Sequence, residues 1–127
     1  MMKTCLSRMM LLSAALLVAG PALAHGSMKP LHGGQVALAG ETVVELVRAP
    51  RGVTVYLSDE DQPVAAAGMT GKLIITRASK KEEVALKAGA GNRMEAAGLK
   101  IAKGEKVTVS LTEKATQARG MVSFTAN

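Results

Sequence analysis

The chain carries two histidines, His25 and His32, in the run Ala22-Leu23-Ala24-His25-Gly26-Ser27-Met28-Lys29-Pro30-Leu31-His32-Gly33-Gly34. Imidazole nitrogens are ligands for copper, zinc and related metals, and the Met28 thioether between them adds a soft donor suited to Cu(I). Ala22-Leu23-Ala24 supplies the small residues of a signal-peptidase site. Cleavage after Ala24 leaves His25 as the first residue. An N-terminal histidine chelates through its α-amine and its near ring nitrogen. A second imidazole, from His32, then completes a three-nitrogen Cu(II) site. The first two donors belong to one residue, so forming the chelate orders little chain. Gly26 and Pro30 leave the spacing to His32 permissive. His25, Met28 and His32 are therefore the candidate metal ligands, and copper is the first candidate metal.

The preceding segment reads as a secretory signal. Lys3 and Arg8 make its positive start, and Met9 to Val18 is an apolar run broken by Ser13. That run is too short for a stable bilayer span. Residues 1–24 are thus expected to be a cleaved signal peptide, 25–33 a flexible N-terminal arm and 34–127 one domain. The protein is expected in the periplasm, with no membrane span after cleavage. Cys5 leaves with the signal, so disulfides and thiolate metal sites are excluded from the remainder.

Composition removes other functions. The formal charge is +6, but Lys3 and Arg8 contribute to it, and the other charges are dispersed and of mixed sign. With no Trp, one Tyr and one Phe, the chain has no aromatic platform on which bases could stack. Nucleic-acid binding is not expected. No cysteine follows the signal and no histidine follows His32, so a serine nucleophile would lack a nearby base. No enzyme is expected. Asp59-Glu60-Asp61 lacks the alternating ligands of a calcium loop and reads as a solvated turn.

The elements that must position the arm are strands. Val53, Val55 and Leu57 alternate with Thr54, Tyr56 and Ser58, and Val107, Val109 and Leu111 alternate with Thr108, Ser110 and Thr112. The same period runs through 83–88 and 118–125. Less regular strands are expected near 35–39, 42–48, 63–67, 71–77 and 92–97. Turn residues separate them every 8–12 residues or so. The pattern predicts an all-β fold, a small antiparallel β-sandwich of about seven to nine strands, with a small barrel as runner-up. Strand phase assigns Val55, Leu57, Val84, Leu86, Val107, Val109, Val122 and Phe124 to the core. Met94 shares the inward phase, Met121 the outward one, and Met69 is expected to be accessible in a turn at 68–71.

Lys29-Pro30-Leu31-His32-Gly33-Gly34-Gln35-Val36, with Glu45-Leu46-Val47, Val55-Tyr56-Leu57-x-Asp59, Pro63-Val64, Gly68, Gly71-Lys72-Leu73 and Asn92-Arg93-Met94-Glu95-Ala96, resembles small periplasmic proteins of proteobacteria. A similar segment occurs as an extra β-domain in the periplasmic adaptor subunits of heavy-metal efflux pumps. The resemblance implies a periplasmic β-sandwich linked to heavy-metal efflux, with efflux-pump components as partners and His32 as the ligand position to carry over. A looser likeness, to periplasmic copper-resistance carriers, extends only to His25. This chain lacks their later histidine and their Asp-x-His pair. Two functions follow as expectations: a protein that binds or hands on a heavy metal, or a metal-free envelope module that docks on a membrane-complex partner.

Overall fold

The computed structural model describes residues 26–127. The signal segment and His25 lie outside the described residues. The fold is all-β, and the described residues contain no α-helix. Nine strands follow in chain order: β1 (Gln35–Ala39), β2 (Thr42–Ala49), β3 (Gly52–Asp59), β4 (Gln62–Pro63), β5 (Met69–Arg77), β6 (Lys80–Ala88), β7 (Arg93–Ala97), β8 (Lys106–Glu113) and β9 (Arg119–Thr125). A short 3₁₀ turn at Ala66–Gly68 precedes β5.

All pairings are antiparallel, in the order β1-β2-β3-β7-β6-β5-β8-β9, with β4 on β3. Two well-paired halves meet at a short join, where β6 and β7 share only Lys87↔Glu95 and Ala88↔Met94. The far edges, β1 and β9, come together without a ladder. The Gln35 side-chain amide donates to the Thr125 carbonyl at 2.9 Å, and its oxygen accepts from the Asn127 amide at 3.4 Å. At the other end of this seam, Gly120 lies so close to the Ala39 carbonyl that a Cβ there would collide with it. The sheet is nearly closed into a barrel. The runner-up architecture therefore replaces the sandwich expected first. Each strand shows one buried face in either architecture, so alternation alone does not separate them.

The core follows the strand phase. Val55, Leu57, Val107 and Val109 are fully buried, Leu86 and Phe124 nearly so, and Val84 and Val122 pack against them half-buried. Leu73 and Ile75 of β5 add two more fully buried chains. Leu99 and Ile101, on the segment between β7 and β8, join the same core. Met94 is inside and Met121 outside, as the alternation predicts.

Two local expectations fail. The strand expected at 63–67 shrinks to Gln62–Pro63, because Pro63 has no N–H for a ladder and the chain turns at Ala66–Gly68. Strand β5 begins two residues earlier than expected. Met69 is its first residue and is 8 % exposed, so it is a core side chain and not an accessible one.

Strand β2 explains its own irregular pattern. Val44 and Leu46 face the barrel interior. Val43 and Glu45 face outward, yet both are only 5 % exposed. A second layer must cover them.

Phe124 is the one phenylalanine of the chain and belongs to the core. Phe124→Ala is expected to cost about 3–5 kcal/mol, the range for removing a buried ring. Urea unfolding of the two proteins measures it. A loss below about 1 kcal/mol would show that the ring contributes little to the core.

Candidate functional site

The layer over β2 is the segment leading into β1. Most of its hydrogen bonds to the sheet end on one side chain, Glu45. Oε1 accepts from the Leu31 amide at 3.0 Å and faces the His32 Nδ1 at 3.0 Å. Oε2 accepts from the His32 amide at 2.8 Å and the Gly34 amide at 2.9 Å. Four donors thus converge on one carboxylate in the middle of Val43-Val44-Glu45-Leu46-Val47.

The His-Gly-Gly sequence makes this convergence possible. Gly33 has φ +71°, a left-handed backbone that costs most residues energy. The bend aims the amides on either side at the same carboxylate. Gly34 runs so close over β2 that a Cβ would collide with the Leu46 carbonyl and press on the Val47 side chain. A residue with a side chain fits neither place well.

His32 is then stacked on Tyr56, with ring centroids 3.6 Å apart and planes 2° from parallel. Tyr56 sits directly opposite Glu45 in the β2–β3 ladder. Adjacent outward positions of two paired strands therefore hold the imidazole by its edge and by its face. The histidine side chain remains 40 % exposed, against 7 % for the glutamate.

Electrostatics sets the proton positions. Burial works to raise the Glu45 carboxyl, but the amide of Gly34, the imidazole of His32 and the amides of His32 and Leu31 stabilise its charged form. The balance lies below the ordinary carboxylate value. An ionised carboxylate can only accept, so Nδ1 of His32 carries the hydrogen. In the neutral ring this leaves the Nε2 lone pair free to act as a base or a ligand. A carboxylate behind a metal-binding imidazole fixes the ring in the same way.

Beside the ring is a hollow of about 240 Å³, lined by Lys29, Leu31, His32, Tyr56, Ser58 and Asp61 among others. The Ser27 amide donates to Asp61 Oδ1 at 2.7 Å, which ties the start of the described segment to the β3–β4 hairpin. Glu60 and Asp61 form that two-residue loop with φ +47° and +64°. Positive φ at both central residues is the hairpin geometry that suits the strand twist.

The three sequence-derived ligands therefore fare differently. His32 is held on the sheet. Met28 is 43 % exposed and does not line the hollow. His25 lies outside the described residues. Among the described residues, no three His, Cys, Asp or Glu side chains gather as a metal-binding group. Glu45, Tyr56 and Asp61 were not singled out from the sequence as site residues. A lone carboxylate within an apolar strand was the available signal for Glu45.

No family model, curated protein or solved structure matches this chain.

Glu45→Ala removes the acceptor for three amides and one imidazole. It is expected to destabilise the fold by about 1–3 kcal/mol, less than a deep core loss because the freed amides can reach water. The folded carboxyl titrates below its unfolded value near 4.5. Its stabilisation is therefore present above that pH and is lost as the pH falls through the lowered folded value. Denaturation followed between neutral and acid pH should show a weaker acid loss in Glu45→Gln than in the parent. Superimposable pH profiles would refute the role of Glu45.

Proposed function

We propose that the protein is an exported, periplasmic binder of a heavy metal, copper first, that holds or hands on the ion in metal efflux or resistance. The observation that carries this reading is the 3.0 Å contact between His32 Nδ1 and Glu45, which leaves Nε2 as the open nitrogen of a pre-oriented ring. His25 contributes its α-amine and imidazole once the signal is removed, and Met28 a thioether when the ion is Cu(I). An incomplete ligand set suits hand-over, because a site that keeps open positions can pass its ion to the next ligand. The role is binding, with no chemical step assigned to any residue.

One observation favours the metal-free docking module. Leu31 is 82 % exposed, although its own amide is fastened to Glu45. A bare leucine on a fastened backbone offers a partner's pocket an apolar group whose backbone needs no further ordering.

Calorimetric titration with Cu(II) separates the readings. Three proteins are compared: one beginning at His25, one with an extra residue before it, and His32→Ala. The extra residue removes the terminal amine from the chelate, and the substitution removes one imidazole. Both are expected to weaken Cu(II) binding, and binding should weaken further as protons compete for the nitrogens at lower pH. Equal affinity in all three would sink the metal reading and leave the docking module in front.

A further inference from the structure

The hollow beside His32 has a donor set that selects among metals. Besides Glu45 and Lys29, its polar lining comes from His32, Asp61, Ser58, Asn92, Ser27 and Tyr56, and no methionine or cysteine lines it. Met28, three residues before Leu31, is absent from the wall, and Met94 is buried inside the barrel. The nearest available chemistry is nitrogen and oxygen.

Glu45 is not free to join this set. Both of its oxygens are taken by the amides of Leu31, His32 and Gly34 and by Nδ1. Asp61 is the other carboxylate on the wall. It receives one hydrogen bond, from the Ser27 amide to Oδ1, and forms no ion pair among the described residues. Its negative charge is therefore uncompensated by any side-chain partner described. Lys29 also lines the hollow, so the ion that enters must bind strongly enough to displace or tolerate one ammonium.

We infer that the hollow between the arm and the β3–β4 hairpin is a site for a borderline divalent cation, Cu(II) or Zn(II), with His32 Nε2 and the Asp61 carboxylate as its two ligands from the described residues. This rests on the metal-binding reading above and deepens it. Imidazole and carboxylate suit such ions, whereas Cu(I) prefers thioether and thiolate. Met28 is then not a ligand in this site. The remaining positions belong to water.

The arrangement also gives Asp61 a purpose beyond its turn. Asparagine adopts left-handed backbone at least as readily as aspartate and keeps an oxygen for the Ser27 amide. Asp61→Asn therefore preserves the hairpin and removes the charge. This makes it a clean probe of binding.

The test is calorimetry of the exported protein with Cu(II), Zn(II) and Ag(I), the last standing in for Cu(I). Parent, Asp61→Asn, Met28→Leu and His32→Ala are compared, with thermal melting to confirm folding. Asp61→Asn is expected to weaken Cu(II) and Zn(II) binding about tenfold or more, with an unchanged melting temperature. Met28→Leu is expected to leave both unchanged, and Ag(I) to bind more weakly than Cu(II). Asp61→Asn binding like the parent, or Ag(I) binding tightest and depending on Met28, overturns the inference while His32 dependence leaves the broader reading standing. If His32→Ala also binds like the parent, or no ion binds, both fall.

Discussion

One carboxylate organises the outer half of this molecule. Glu45 sits in an apolar strand where an unpaired charge would be costly, and it is tolerated because four donors meet it. The dependence runs both ways. The segment from Leu31 to Gly34 belongs to no strand, and the carboxylate accepts the hydrogen bonds of three of its amides. In return, that segment shields Glu45 and Val43 from water. Each arrangement supports the other, so the arm is coupled to the outward face of β2, whose inward face belongs to the barrel core.

The barrel provides what this unit needs, which is a rigid floor. Glu45 and Tyr56 are cross-strand neighbours on β2 and β3, and each has an inward neighbour that is fully buried or nearly so. Their backbone positions are set by packing on the opposite face of the sheet. An imidazole clamped between them inherits that rigidity, although it belongs to a segment with no secondary structure. This is the physical basis for regarding His32 as a pre-oriented imidazole. A histidine on a free arm would have to give up its rotamer freedom on binding an ion. The β3–β4 hairpin extends the same floor to Asp61, and with the arm, β2 and Asn92 the hollow has walls from four separate stretches of chain.

The all-β class, nearly all the strands and the inward residues of the regular ones were legible from period-two alternation, since a strand with one wet face must alternate. Val107-Thr108-Val109-Ser110-Leu111 shows the rule at its plainest. His32 was legible as a chemical candidate from residue type and from the glycines after it. The failures have specific causes. At 63–67 one proline outweighed the apolar pattern. At Met69 a turn signal was read where a strand had begun. At β2 both faces are covered, so alternation carried no information about which way Glu45 points.

The sequence by itself determined the period of the strands, most of the places where the chain turns and the two glycines that let the arm bend onto the sheet, because these depend on local sterics and on the polarity of neighbouring side chains. Only the tertiary structure decided that the sheet nearly closes, that Glu45 is buried under residues 11 to 14 positions before it, and that Tyr56 and Asp61 share a hollow with His32. Those outcomes depend on long-range pairing register and on desolvation at sites where distant segments meet. A carboxylate in an apolar strand announces that it needs partners, but not which amides will reach it.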